Sequence, residues 1–130
     1  VGTLASSEPL YVFLGRVASA LGSGALRYTG DPSLTVERVA VCGGSGMSFF
    51  PHARRAGVDA YVTADVTYHR FFEALGSDGT PDMALIDAGH YETEAITEQL
   101  IADELASAFP DLSVHVTAHR TSPMRTFVGG

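Results

Sequence analysis

The sequence predicts an α/β fold in which helices cover both faces of a mostly parallel sheet, giving three layers, α/β/α. Short apolar segments alternate with segments of helical periodicity, in the order strand, turn, helix, three times in succession. That order is typical of βαβ units and parallel strands. The strand segments are apolar at nearly every position, as expected for strands covered on both faces. With 130 residues, the chain has the length of one domain.

A helix is predicted before these units. Ser7 is expected to cap it, Pro9 to lie near its first turn, and Gly22 to end it. Apolar residues recur between them at helical spacing: Leu10, Phe13, Leu14, Val17 and Leu21. Residues 26–29 then form a short extended segment, which a Gly-Asp-Pro turn at residues 30–32 closes.

Each of the three strand-to-helix units contains an unusual turn. The predicted strands cover residues 36–42, 60–63 and 83–87, and the helices after them cover residues 49–56, 67–75 and 92–108. The carboxyl ends of parallel strands lie at one edge of a sheet, where ligands bind in such folds. The turns at residues 43–46, 63–69 and 87–94 therefore predict a binding site at that edge.

A last strand is predicted after the third unit, over residues 112–117. Within it His115 alternates with Val114 and Val116, so the imidazole should face solvent or a partner. The tail after Thr121 is predicted to have no regular structure.

Composition excludes several classes of protein. The net charge of -7 argues against a nucleic-acid-binding surface. No apolar run approaches the roughly 20 residues that span a bilayer, and the start of the chain lacks the pattern of a signal peptide. A single cysteine, Cys42, cannot form an internal disulfide. Together these features predict a cytoplasmic protein that binds neither nucleic acid nor membrane.

The segment around His90 carries the strongest functional signal. His90 and Glu94 are four residues apart at the start of a predicted helix, so they share one helix face. An imidazole and a carboxylate together are half of a site for zinc, manganese or iron. The alternative is that His90 is a turn residue and Glu94 complements the helix N-terminus. Asp87 either orients the imidazole or caps the following turn.

Asp65 and His69 form a second pair with the same spacing, just after the second strand. They are candidate catalytic residues, as a proton-transfer pair or as groups that hold a substrate beside the metal. Alternatively, Asp65 caps the helix that begins near Thr67, and His69 lies on its surface.

The glycine-rich turn at residues 43–46 is the third candidate. Its glycines allow a ligand to approach the backbone amides, and the following helix N-terminus can attract an anion. The dinucleotide-binding, P-loop and nucleophile-elbow motifs all fail here, since Phe49 and Met47 stand where glycines are needed and no Lys follows. A Ser45/Asp87/His90 catalytic triad is a further alternative.

Three segments together resemble one known family. They are Val-Ala-Val-Cys-Gly-Gly-Ser-Gly (39–46), Ala-Tyr-Val-Thr-Ala-Asp-Val-Thr-Tyr-His (60–69) and Ile-Asp-Ala-Gly-His-Tyr-Glu-Thr-Glu (86–94). Their order and spacing resemble the Nif-three-like family (NGG-one-interacting factor three). Bacterial members of that family are often called GTP cyclohydrolase 1 type 2 homologues. One departure is Ala64, where the family's block usually has Gly.

The resemblance implies a duplicated architecture of two related α/β halves around a dinuclear metal site, of which this chain matches the C-terminal half. It implies that His90 and Glu94 bind metal, and that Asp65 and His69 line the pocket. The cofactors would be two divalent metal ions per full-length chain. The activity would be hydrolysis of a nucleotide or related phosphorylated small molecule, and the assembly a homohexamer. The alternative is a metal-binding scaffold or regulatory protein without enzymatic activity.

Overall fold

Five strands form one mixed sheet in the computed structural model, which describes residues 1–127. The strands are β1 (Gly2–Pro9), β2 (Arg27–Tyr28), β3 (Thr35–Val41), β4 (Ala60–Thr63) and β5 (Ala84–Asp87), and their order in the sheet is β1-β3-β4-β5-β2. The central strands β3, β4 and β5 are parallel, while β1 and β2 pair antiparallel at the two edges. The α/β prediction is confirmed, and the parallel centre consists of the strands that the sequence predicts.

Helices follow the strands as predicted, with shifts of one or two residues at their ends. They are α1 (Leu10–Leu21), α2 (Phe50–Arg55) and α3 (His90–Ala108). Gly22 ends α1 in a left-handed conformation with φ of 60°. The predicted helix over residues 67–75 is a 3₁₀ helix, Tyr68–Ala74, and another 3₁₀ turn, Met47–Phe49, precedes α2.

Alternate residues of the central strands face opposite sides of the sheet, which produces the predicted three layers. On one side, α1 packs against a cluster that contains Val39, Ala60, Val62, Ala84 and Ile86. On the other side, α2 and the 3₁₀ helix Tyr68–Ala74 pack against a cluster that contains Ala40, Tyr61 and Leu85. Strands β4 and β5 are buried at every position, whereas β3 exposes Glu37, Arg38 and Val41. The carboxyl ends of all three strands lead into the turns that form the candidate site.

The N-terminal residues form an edge strand that the sequence analysis did not predict. Residues 2–9 form β1, whose side chains are mostly exposed and which the sequence pattern does not predict. The prediction that Ser7 caps α1 is wrong: Ser7 lies within β1, and Pro9 directly precedes the helix without a side-chain cap. The antiparallel pairing of β1 with β3 keeps the chain extended up to that proline.

The predicted strand over residues 112–117 is absent from the described part of the chain. Residues 112–127 form neither helix nor strand, and their side chains are mostly exposed. A strand needs a neighbour for its backbone hydrogen bonds, and within residues 1–127 none lies beside this segment. The tail from residue 122 to 127 lacks regular structure, as predicted, and residues 128–130 lie outside the described residues. No helix in the described part is both long and apolar enough to cross a membrane.

Candidate metal centre

The three turns after the central strands contact one another at the carboxyl edge of the sheet. The Gly44 carbonyl accepts a hydrogen bond from the Ala64 amide at 2.9 Å, and the Thr63 carbonyl accepts one from the Ala88 amide at 2.9 Å. The turn after β3 is thus tied to the turn after β4, and the latter to the turn after β5. This is the convergence that the parallel order of the strands predicts.

His90 and Glu94 lie side by side in the first turns of α3. The His90 Nε2 atom is 3.2 Å from a carboxylate oxygen of Glu94, and the two side chains are 44% and 57% exposed. The exposure leaves both groups accessible to a ligand from solvent. The predicted pairing on one helix face is therefore present, while metal binding by the pair stays a prediction.

The other ring nitrogen of His90 contacts Asp65, which comes from a different element. The Nδ1 atom lies 2.6 Å from Asp65 Oδ2. This hydrogen bond is the largest cause of a pKa of His90 above its ordinary 6.5, followed by the charges of the Asp65 and Glu94 carboxylates, while partial desolvation opposes the shift. These contacts therefore favour the protonated form of His90 more than water does for a free imidazole.

Asp87 does not orient the imidazole in this structure. Its buried carboxylate accepts hydrogen bonds from Arg27 at 2.5 Å, from the Val66 amide at 3.0 Å and from the Gly89 amide at 3.2 Å. Of the two roles predicted for Asp87, capping of the following turn is the one that the contacts show. Asp65 makes the contact to His90 that was predicted for Asp87, and it makes no capping bond to the helix after Thr67.

Gly44 lies directly against the His90–Glu94 pair. Its φ of +62° is in the left-handed region, and a Cβ built on it would overlap the Glu94 carboxylate and lie 3.3 Å from His90 Nε2. Any larger residue would strain the backbone and occupy the space beside the two donor atoms. The glycine in this turn thus keeps that space open.

Two amides of the glycine-rich turn donate to protein groups. The Gly44 amide donates to the Thr93 hydroxyl and the Gly46 amide to the Thr63 hydroxyl, both at 2.9 Å. These two amides are therefore not available to an anion in this conformation. The Thr93 hydroxyl also lies 2.9 Å from the Gly89 carbonyl, so it joins the turn to the start of α3, a role that the sequence did not reveal.

Within residues 1–127, the remaining candidates form no hydrogen bond with this pair. His69 is exposed, and its ring packs edge-on against Tyr68 with 5.4 Å between centroids. Within the described residues it shares no hydrogen bond with Asp65. Ser45 is exposed, while both ring nitrogens of His90 face Asp65 and Glu94. The alternative Ser45/Asp87/His90 triad is therefore not assembled.

A cavity of about 530 Å³ opens beside His90 and Asp65. Three arginines line it: Arg27, Arg120 and Arg125. The Arg120 guanidinium lies 2.5 Å from a Glu92 oxygen and 4.7 Å from the Tyr91 ring centroid. The sequence did not single out these arginines, because Arg27 is far along the chain from Arg120 and Arg125.

The donor set of the pair fits a divalent metal ion, although it is incomplete. Two ligands on one tetrahedral zinc, each about 2.0–2.2 Å from the ion, lie about 3.3–3.6 Å apart, slightly more than the 3.2 Å between His90 Nε2 and Glu94. Within the described residues, however, no group of three or more His, Cys, Asp or Glu side chains is placed to hold a metal. A complete site needs further ligands from elsewhere.

These observations define an α/β protein with a histidine–carboxylate site at the carboxyl edge of its parallel strands. The sequence profile of the Duf34/NIF3 (NGG1p interacting factor 3) family matches residues 1–123. The chain belongs to this family.

Named relatives agree with that assignment. The chain is 44% identical over 126 residues to a protein of Mycobacterium leprae named GTP cyclohydrolase 1 type 2 homolog, covering 95% of this chain and 32% of the relative. A Bacillus subtilis protein of the same name is 32% identical over 127 residues, covering 95% of this chain and 33% of that protein. This chain thus spans about a third of the length of these relatives.

A solved structure shows the same fold. A Staphylococcus aureus protein of known crystal structure superposes with a TM-score of 0.86 at 25% identity, covering 96% of this chain and 40% of that protein. A Bacillus cereus protein described as related to NIF3 superposes with a TM-score of 0.76 at 24% identity. The match covers 97% of this chain and 35% of that protein.

Proposed function

We propose that this chain supplies part of a dinuclear metal site in a hydrolase that acts on a nucleotide or a related phosphorylated small molecule. The observation that carries the proposal is the pairing of His90 Nε2 with the Glu94 carboxylate at 3.2 Å, in which His90 also lines a cavity. His90 and Glu94 would each bind metal. The remaining ligands would come from outside the described residues, in keeping with the share of the relatives' length that this chain covers.

The cavity beside the pair supports an anionic substrate. The guanidinium groups of Arg27, Arg120 and Arg125 line it together with the carboxylates of Asp65, Asp87 and Glu92. Arg27 pairs with Asp87 and Arg120 with Glu92, so a phosphate would have to compete with these carboxylates for the paired, charge-assisted hydrogen bonds that guanidinium groups offer. The name shared by the relatives, GTP cyclohydrolase 1 type 2 homolog, points to the same class of substrate. We therefore propose that the arginines bind the phosphates while the reacting part of the substrate lies near His90.

The residues of this chain would have separate tasks in hydrolysis. Divalent ions in such a site lower the pKa of water and so supply a nucleophile near neutral pH. Gly44 keeps the space beside His90 and Glu94 free of side-chain atoms. His69, accessible on the 3₁₀ helix Tyr68–Ala74, is the candidate for moving a proton to or from the substrate.

Metal content is the decisive test of the binding step. The protein, in this form and in its longest natural form, would be equilibrated with zinc and manganese, and bound metal measured by plasma mass spectrometry. We expect two ions per longest-form chain, and loss of metal in the His90→Ala/Glu94→Ala variant. Glu98→Ala is the matched control, because it removes an exposed carboxylate from the next turn of α3. Equal metal in wild type and double variant would refute the assignment.

Turnover separates an enzyme from a metal-binding scaffold. Metal-loaded protein would be incubated with GTP, and products followed by chromatography. If the protein is a hydrolase, His69→Ala should abolish turnover and leave the metal bound. Metal that stays bound in a protein without any turnover of nucleotides would favour the scaffold instead. Assembly into a homohexamer also stays a proposal, which light scattering of the longest form tests.

A further inference from the structure

The His90 ring lies between two carboxylates that are not equivalent. Asp65 Oδ2 is 2.6 Å from Nδ1, whereas the nearest Glu94 oxygen is 3.2 Å from Nε2. A neutral imidazole carries one N–H and one lone pair, and the hydrogen bond on one nitrogen decides where the proton stays. The shorter contact to Asp65 favours the proton on Nδ1, which leaves the Nε2 lone pair directed to the side of Glu94.

The backbone at Asp65 is unusual, and it is held from both sides. Among residues 1–127, Asp65 is the one non-glycine residue with positive φ, at 55°. Its neighbours Ala64 and Val66 are buried, and their amides donate to the Gly44 carbonyl and the Asp87 carboxylate. Side chains rarely adopt this conformation, although Asp tolerates it better than most. Strained residues of this kind are often found at functional sites.

We propose that Asp65 is a positioning residue that holds His90 as the Nδ1–H tautomer, so that Nε2 binds a divalent metal ion together with Glu94. The inference rests on the proposed function and assigns Asp65 a role other than proton transfer with His69. Carboxylates that orient a metal-binding imidazole in this way also make the ring a better ligand. An ordinary exposed ion pair, by contrast, would leave the tautomer and the metal affinity unaffected.

The tautomer of His90 is the first test, and it needs no metal. Long-range ¹H–¹⁵N correlation spectra of metal-free protein, recorded at a pH where the ring is neutral, distinguish the two ring nitrogens. His90→Gln identifies the signals among the five histidines of the chain. We expect the proton on Nδ1 in wild type and a shift towards Nε2–H in Asp65→Gly. A proton on Nε2 in wild type, or no change in Asp65→Gly, would overturn the proposal.

The variants are chosen so that each should fold, and a change in the tautomer can then be attributed to the Asp65 carboxylate. Asp65→Gly removes the carboxylate and still accommodates the positive φ. Asp65→Asn keeps the shape and an oxygen acceptor, so it should keep most of the Nδ1–H tautomer. Circular dichroism confirms the fold of each. Asp103→Asn is the charge control: it removes an exposed carboxylate from α3, nine residues or about 13 Å along the helix from Glu94.

Zinc affinity is the second test, measured on the longest natural form by competition with a chromophoric chelator. Loss of a group that orients a ligand typically weakens metal binding about 10- to 100-fold. We expect a loss in that range for Asp65→Gly, a smaller loss for Asp65→Asn and none for Asp103→Asn. If zinc binds and Asp65→Gly matches wild type, the positioning role is refuted while the metal site stands. If wild type binds no zinc, the proposed function fails, and the metal-free spectra still decide whether Asp65 sets the tautomer.

Discussion

Gly44 lies so close to Glu94 that a Cβ at position 44 would be 3.1 Å from the carboxylate carbon and would overlap one of its oxygens. The same glycine has a φ of +62°. The backbone conformation thus favours glycine at this point, and any larger residue would have to displace the Glu94 carboxylate. Its neighbour Gly43 is similarly restricted, since a Cβ there would lie 2.8 Å from the Thr93 carbonyl oxygen.

Gly44→Ala should therefore destabilise the protein through two separate effects. Gly57→Ala is a matched control, because Gly57 has a φ of +63° and no neighbouring atom within 4 Å of a Cβ. Left-handed backbone costs about 1–2 kcal/mol for Ala, and overpacking about 1–3 kcal/mol more. Urea unfolding should show a larger loss for Gly44→Ala than for Gly57→Ala. Equal losses would mean that Glu94 moves aside without cost.

The Thr93 hydroxyl should stabilise the link between the glycine-rich turn and α3. Thr93→Val keeps the shape of this buried side chain but leaves the Gly44 amide without its acceptor. An unsatisfied buried amide costs about 1–3 kcal/mol, so the free energy of unfolding should fall by that amount. Thr93→Ser keeps the hydroxyl, so it should retain most of the wild-type free energy of unfolding. Thr97→Val, at an exposed position of the same helix, should change stability by less than about 0.5 kcal/mol.

The ionisation of His90 should depend on Asp65. Because the hydrogen bond that His90 donates to Asp65 and the nearby carboxylate charges raise the pKa of His90 above 6.5, the protonated ring is favoured by folding. Its contribution to stability is present in full below pH 6.5 and is lost as the pH rises through the higher pKa of the folded state. Since the ring is 44% exposed, this contribution is small.

Proton NMR titration of the His90 ring in metal-free protein measures this pKa directly. Asp65→Gly should lower the pKa of His90 towards 6.5, because it removes the hydrogen bond that is the main cause of the shift, whereas Asp103→Asn should not. A wild-type titration at or below pH 6.5 would contradict the structure. Divalent metal needs the neutral ring, so zinc affinity should rise with pH across the same window.

The arginines of the cavity should act on substrate affinity. Arg120→Ala removes one guanidinium from the cavity wall, and a hydrogen bond to a charged group is worth about 1.5–3 kcal/mol. If phosphates bind there, KM for the nucleotide should rise about tenfold or more, with a smaller change in kcat. The control is Arg55→Ala, an exposed arginine of α2 outside the cavity lining. An unchanged KM for Arg120→Ala would place the phosphates elsewhere.

The sequence predicted the centre of the fold because its signals are local. Apolar runs mark β4, β5 and the end of β3 (residues 39–41), and helical spacing marks α1. The edge strand β1 was missed because its exposed residues carry no apolar pattern and its conformation depends on pairing with β3. The alternation at residues 112–117 did predict a strand, but within residues 1–127 no neighbouring strand lies beside it.

The candidate site likewise has one feature with a local sequence signal and one that depends on contacts between separate elements. By itself, the sequence determined that His90 and Glu94 share a helix face, since a spacing of four residues fixes that geometry within one helix. Only the tertiary structure decided which carboxylate reaches His90 Nδ1. Asp65 and Asp87 both follow strand ends, but the choice between them depends on the left-handed backbone at Asp65 and on the buried pairing of Asp87 with Arg27. Contacts between separate elements have no fixed spacing along the chain, so the sequence pattern contains no record of them.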